Sequence, residues 1–320
     1  METTNRKDGT KEVVETKKDG TVITTETAKN GDKTVTTEHK DGSVQEAVTK
    51  KYGSSATVTT SPSGDVEAAV TVKPAGGTAT APFSPVRVGS SEVLVTVKTG
   101  SSGTTKVQLP VSNISSGVVA VLVKADGTEE VIKTSVPTAN GLLVPVKNGE
   151  TVKLENRAKS FRDMGSTAWA QSAVDFVSAR GMFAGTAEDT FSPDVDLTRA
   201  QMVTVLARYQ GVDTNGGSTW YEKGVQWAMA TGVSDGTNPD GQISREQMVA
   251  MLWRVAGRPE VKDSAKFQSF RDAGSVAGYA REAMAWAIEN GIVSGVDAST
   301  ISPQGTATRA EAAAILQRLC

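Results

Sequence analysis

A four-residue phrase recurs three times in the C-terminal half of this chain and dictates what that half can fold into: Thr198-Arg199-Ala200-Gln201, Ser244-Arg245-Glu246-Gln247 and Thr308-Arg309-Ala310-Glu311. In each, a hydroxyl can accept from the third backbone N–H while Gln or Glu reaches back to the cap residue, the reciprocal pair of a capping box. A helix is predicted to start at each arginine. Counting from it, offsets +3, +6, +7 and +10 are apolar: Met202, Val205, Leu206, Tyr209; Met248, Met251, Leu252, Val255; Ala312, Ile315, Leu316, Leu319. An arginine returns at +9 as Arg208, Arg254 and Arg318, which reads as structural or solvent-facing.

Ahead of each phrase lies another helical stripe, opened by an aromatic and closed by a glycine: Trp169, Ala173, Phe176, Val177 to Gly181; Trp220, Gly224, Trp227, Ala228 to Gly232; Tyr279, Ala283, Trp286, Ala287 to Gly291. Four residues after each closing glycine comes another, Gly185, Gly236 and Gly295. Two helices joined by a Gly-rich loop, three times over, predict a compact all-α unit with a pseudo-three-fold axis. Its copies span residues 160–211, 212–259 and 266–320.

Arg199, Arg245 and Arg309 fall at the first helical position, where the macrodipole disfavours a cation. Their recurrence there suggests a role. A guanidinium fork beside helix N–H groups makes an anion site, to which the Gly185, Gly236 and Gly295 loops could add backbone amides. The competing structural role is pairing with an internal carboxylate such as Asp163 or Asp272, or capping a preceding helix. Asp163 and Asp272 themselves read most simply as helix-entry caps or arginine partners. Trp227 and Trp286, at i+7 of their stripes, read as core, whereas a core role for Trp169, Trp220 and Tyr279 stays open.

The first half is stabilised differently, because of sixteen aromatic residues only Tyr52 and Phe83 precede residue 157. Residues 1–73 repeat with a period of eleven, marked by Gly9, Gly20, Gly31, Gly42, Gly53 and Gly64. Asp8-Gly9, Asp19-Gly20, Asn30-Gly31 and Asp41-Gly42 suit two-residue hairpin turns between Thr/Val-rich strands, so an antiparallel meander stalk is predicted. With one or two aliphatics per strand it can bury little on either face, and disorder is the alternative. Residues 74–85, with Gly76-Gly77, read as a linker. Residues 86–156 carry short apolar runs punctuated by Asp126-Gly127, Asn140-Gly141 and Asn148-Gly149, a small β-sandwich-like spacer domain. The fold class is therefore multidomain: all-β, then all-α.

Composition narrows function. The net charge of -2 supplies no basic field for nucleic acid, and no apolar run is long enough to cross a membrane. One cysteine, Cys320, and one histidine, His39, exclude Cys or His metal cages and nearly exclude His-dependent triads, so no cofactor or metal is expected. The N-terminus shows no signal segment, which leads to the expectation that the chain is a C-terminal piece of a longer exported protein.

Residues 160–320 resemble the S-layer homology domains, found as three tandem copies in bacterial cell-surface proteins. The likeness rests on Phe161-Arg162-Asp163 and Phe270-Arg271-Asp272, the aromatic-to-Gly helix, Phe191-Ser192-Pro193 and Ile301-Ser302-Pro303, and the Thr-Arg-Ala-Glu type phrase. The resemblance implies a three-pronged pseudo-trimer whose grooves hold secondary cell-wall polysaccharide attached to peptidoglycan, often bearing pyruvate ketals. By the same resemblance the anionic group goes to Arg199, Arg245 and Arg309, with glycine amides and an aromatic wall from Trp169, Trp220 or Tyr279. The middle copy departs: its spacing from closing glycine to arginine is thirteen rather than eighteen, it lacks the Phe-x-Asp opening, and Glu246 adds charge beside Arg245. The expected function is non-covalent anchoring of an extracellular surface protein to the cell wall, without enzymatic activity. The alternatives are a self-assembling lattice protein with lateral contacts and a wall-glycan hydrolase, for which no carboxylate pair stands out.

Overall fold

The computed structural model describes residues 1–73 and 78–320 and separates into two compact units, Met1–Arg157 and Ala158–Cys320. Seven strands open the first unit: β1 (Glu2–Asn5), β2 (Lys11–Thr16), β3 (Val22–Thr27), β4 (Lys33–Glu38), β5 (Val44–Thr49), β6 (Ser55–Thr60) and β7 (Val66–Thr71). They pair antiparallel in sequence order, as a meander should. The turns are one residue longer than the Asp-Gly dipeptides suggest. Arg6 N–H donates to Thr10 O and Gly9 N–H to Arg6 O, with Gly9 at φ 86, so a type I turn is followed by a left-handed glycine bulge. Asp8 Oδ1 accepts from Thr10 N–H and fixes that bulge.

The meander does not end at a linker. Strand β8 (Thr78–Thr80) lies inside the stretch read as one, and β9 (Val93–Lys98), β10 (Thr105–Leu109), β11 (Val118–Val123), β12 (Glu129–Ile132), β13 (Val136–Thr138), β14 (Gly141–Val146) and β15 (Glu150–Asn156) follow. β7 pairs in parallel with β9, so one eleven-stranded sheet runs β1 to β7, then β9-β15-β11-β12. A second sheet, β13-β14-β10-β8, supplies further residues to the same apolar cluster. Ala79, Ala81 and Phe83 are buried there, which is why residues 78–83 cannot act as a loose tether. Gly76-Gly77 lie outside the described residues. The sandwich expected over 86–156 and the meander thus share one sheet and one core.

Burial grades along that sheet. β1 is exposed at every position, β2 to β4 are half-buried, and full burial on one face begins at Val48, Ala56 and Val58. Among the described residues of β2 to β4, Thr, Lys and Glu outnumber the aliphatics, and ion pairs such as Arg6 with Glu12 and Glu26 lie along them.

The second unit holds α1 (Gln171–Ala179), α2 (Arg199–Tyr209), α3 (Glu222–Ala230), α4 (Arg245–Val255), α5 (Ala265–Gln268), α6 (Arg281–Glu289) and α7 (Arg309–Leu319). All three predicted capping boxes form, at Thr198, Ser244 and Thr308. The stripes at +3, +6 and +7 are buried in one cluster. Helices α1, α3 and α6 begin two residues after the aromatic that was expected to open each stripe. Trp169, Trp220 and Tyr279 therefore stand outside the buried face and are 61%, 55% and 51% exposed. Trp286 is buried, and Trp227 packs half-buried against the core.

Candidate functional site

The site grows from how the three capped helices are joined. Leu197 N–H donates to Ala307 O, Ala307 N–H to Ile243 O and Ile243 N–H to Leu197 O, a closed ring of three hydrogen bonds with all three side chains buried. Just beyond it, each helix start is completed by a loop from another copy. Arg199 and Ala200 N–H donate to Gly241 O and Pro239 O; Arg245 and Glu246 N–H to Gly305 O and Pro303 O; Arg309 and Ala310 N–H to Val195 O and Pro193 O. The third amide of each helix is taken by the capping hydroxyl. The expected anion site on vacant helix N–H groups is thereby corrected, because protein acceptors already satisfy those donors.

The arginine side chains follow the same seams. Arg199 Nε donates to Thr237 O (2.9 Å), Arg245 Nε to Ile301 O (3.0 Å) and Arg309 Nε to Phe191 O (2.8 Å). Beyond that bond they differ. Arg199 Nη2 pairs with Asp235 at 2.7 Å and Arg245 Nη1 with Glu311 at 3.1 Å. Arg309 Nη2 donates to Ala184 O (2.8 Å), and its guanidinium lies 4.7 Å from the Phe191 ring centre and 5.2 Å from that of Phe183. Burial pulls Arg309 down to about 10, with the charge of Asp163 opposing the shift.

Among the described residues, neither the Asp163 nor the Asp272 side chain caps a helix or forms an ion pair with an arginine. Asp163 accepts from Phe191 and Ser192 N–H, and Asp272 from Ile301 and Ser302 N–H. Each carboxylate clamps a serine held at positive φ, 57° for Ser192 and 53° for Ser302. The middle copy has Asn238 there at φ 47°, a residue type that tolerates the left-handed region without a clamp.

Two cavities of corresponding construction open along the seams. One, of about 470 Å³, is lined by Arg309, the 183–186 loop with Gly185, Gln201, Thr204, Val205 and Arg208 of α2, and Trp220. The other, of about 340 Å³, is lined by Arg199, Ser234 and Asp235, Gln247, Ala250, Met251 and Arg254 of α4, and Tyr279. Each combines a helix-start arginine, a loop and a +9 arginine with an exposed aromatic. Two of the +9 arginines, read from sequence as structural or solvent-facing, line the cavities while also bracing them: Arg208 Nε donates to Thr214 Oγ1 and Arg254 Nη1 to Val233 O. Their recurrence was the available signal.

The remaining predicted residues divide. A Cβ on Gly185 would lie 2.5 Å from Ala187 O and 2.9 Å from the Phe161 ring, and one on Gly295 2.6 Å from Asp297 O and 2.9 Å from Phe270, so both glycines allow a tight loop to close under a phenylalanine. Gly236 lies against Met229. The ion pair of Arg245 is with Glu311, while Glu246 accepts from Ala277 N–H and from the Tyr279 hydroxyl at 3.2 Å. Burial, then that carboxylate, pushes Tyr279 up to about 12. Among the described residues no cluster of His, Cys, Asp and Glu suits a metal ion, and no helix is long and apolar enough to cross a membrane.

The S-layer homology domain family matches residues 160–203 and 269–313, within the first and third copies; the middle copy lies outside both matches. Three curated relatives each align over half of the chain or less. An amylopullulanase of Thermoanaerobacterium thermosulfurigenes is 30% identical over 177 residues, 50% of this chain and 9% of that protein. An S-layer protein of Bacillus thuringiensis subsp. finitimus is 25% identical over 50% of this chain and 21% of its own length. A cellulosome-anchoring protein of Acetivibrio thermocellus is 27% identical over 32% of this chain and 27% of its length. The chain thus spans under a third of each of these relatives.

Proposed function

We propose that residues 160–320 form three S-layer homology repeats about a pseudo-three-fold axis, the middle one divergent, and that this unit anchors the protein to the bacterial cell surface by binding an anionic secondary cell-wall polysaccharide. One observation carries the reading: two cavities at corresponding seams each present guanidinium groups beside a solvent-facing aromatic ring, the combination that takes an acidic sugar. The family matches on the first and third copies, and relatives named as S-layer and cellulosome-anchoring proteins, support the cell-surface role. By correspondence the third seam holds Arg245, Glu311, Arg318 and Trp169. Several weak grooves in one rigid body gain avidity on a polymer that repeats its epitope.

The test is co-sedimentation of the chain with wall sacculi before and after acid removal of the secondary polymer. Binding is expected only while the polymer is present. Equal binding to stripped sacculi would move the ligand to peptidoglycan, and binding to neither would refute the anchoring role.

A further inference from the structure

The seams share a plan but differ in what neutralises their arginines. At Arg199 the carboxylate of Asp235 occupies the guanidinium, and at Arg245 that of Glu311 does. Among the described residues lining the Arg309 cavity there is no carboxylate; Arg309 meets backbone carbonyls and phenylalanine faces instead. The floor differs as well. At offset +5 from the capped arginine, copies two and three carry Ala250 and Ala314, whereas copy one carries Thr204. Thr204 is 2% exposed, lines the cavity, and has a hydroxyl without a hydrogen-bond partner. A buried hydroxyl left unmet is a cost that a polar ligand atom would remove. Arg208 stands one turn further along the same helix face.

We infer that the groove formed by Arg309, Arg208, Thr204 and Trp220 is the principal ligand site, and that it selects a sugar bearing a carboxylate together with a hydroxyl or amide within reach of Thr204. The carboxylate falls to the two guanidinium groups, the ring lies against Trp220, and Thr204 is the specificity-determining residue. Asp235 and Glu311 act as internal anions that hold the other two seams to weaker binding. This ranking rests on the anchoring role proposed above.

The experiment measures binding of the full chain to polymer-bearing sacculi, with glucuronate and glucose as soluble competitors. Thr204→Val and Arg208→Gln are expected to weaken binding by about tenfold each, the scale of one hydrogen bond to a charged or buried group. Arg254→Gln and Arg318→Gln should cost less than Arg208→Gln, and Arg208→Lys should restore part of the loss. Asp235→Asn and Glu311→Gln should tighten binding; the latter recreates the glutamine of the other two capping boxes, so the helix start is preserved. Glucuronate should compete and glucose should not. Unchanged urea midpoints identify the variants that remain folded. The ranking is overturned if Thr204→Val binds like the parent chain, if Arg254→Gln or Arg318→Gln is as damaging as Arg208→Gln, or if glucose competes as well as glucuronate. Failure of the parent chain to bind polymer-bearing sacculi would instead remove the anchoring role, and the ranking with it.

Discussion

Asp163→Ala tests how the helical unit holds its seams. Asp163 Oδ1 accepts from Phe191 N–H at 2.9 Å and Oδ2 from Ser192 N–H at 2.6 Å, so the substitution removes two hydrogen bonds to a charged acceptor. Each contributes about 1.5–3 kcal/mol, and partial solvent access to the half-buried carboxylate argues for the lower end, roughly 3 kcal/mol in all. The loss propagates, because Phe191 O receives Arg309 Nε and Pro193 O and Val195 O complete the start of α7. For a unit of this size the melting temperature should fall by about 6–12 °C. All five tryptophans lie in the second unit, so urea unfolding followed by tryptophan emission reports on it directly. Burial raises the Asp163 pKa, but the two backbone N–H groups outweigh it and hold the carboxyl below its ordinary value. A depressed folded pKa gives stability that is present above the unfolded value and lost as pH falls through the folded one. The gap between parent and variant should therefore be constant near neutrality and narrow below about pH 4. A loss under about 1 kcal/mol at pH 7, or a gap that widens in acid, would refute the clamp.

Gly224→Ala should destabilise the second unit by about 1–3 kcal/mol in the same urea assay, because its Cβ would lie 2.7 Å from Thr204 Oγ1 and 2.9 Å from Thr204 Cα; a neutral or stabilising result would mean that α2 and α3 do not approach that closely. In hydrogen exchange, amides of β1 to β4 should exchange well before those of β9, β11 and β15, whose side chains fill the core; equal protection across the sheet would show that burial does not govern its stability.

What could be read from sequence was what local chemistry determines. The capping boxes and the apolar offsets of α2, α4 and α7 need only neighbours within one or two turns, and all formed as expected. The eleven-residue glycine register likewise gave the meander, although a loop longer by one residue follows from the bulge rather than from the dipeptide. Long-range partners were not legible. Arg309 meets Phe191, 118 residues earlier, and nothing around either residue announces it. The parallel pairing of β7 with β9 and the three-residue strand β8 were hidden for the same reason: both depend on a shared core that holds Val93, Val95 and Phe83, and only the composition around β8 is that of a linker. The exposure of the aromatics read as candidate walls follows from where the helices begin. Each helix begins two residues late, so the ring at the head of the stripe leaves the buried face and becomes available as a wall.

The ring of hydrogen bonds also determines the smallest piece that can stand alone. Copy two caps the helix of copy one, copy three caps that of copy two, and copy one caps that of copy three. A closed cycle of three has as many seams as members, so removing any copy breaks two seams and leaves one. The broken seams expose two backbone amides and a guanidinium at one helix start, and strip the carbonyls of one loop of their donors. An isolated copy of about fifty residues would keep no seam at all and too little core to offset that cost. The departures of the middle copy therefore fall where the ring tolerates them. Asn238 replaces the carboxylate clamp, and the shortened loop still delivers Pro239 O and Gly241 O to α2. The middle copy's capping carbonyls, Pro239 O and Gly241 O, are still required at the start of α2 in copy one.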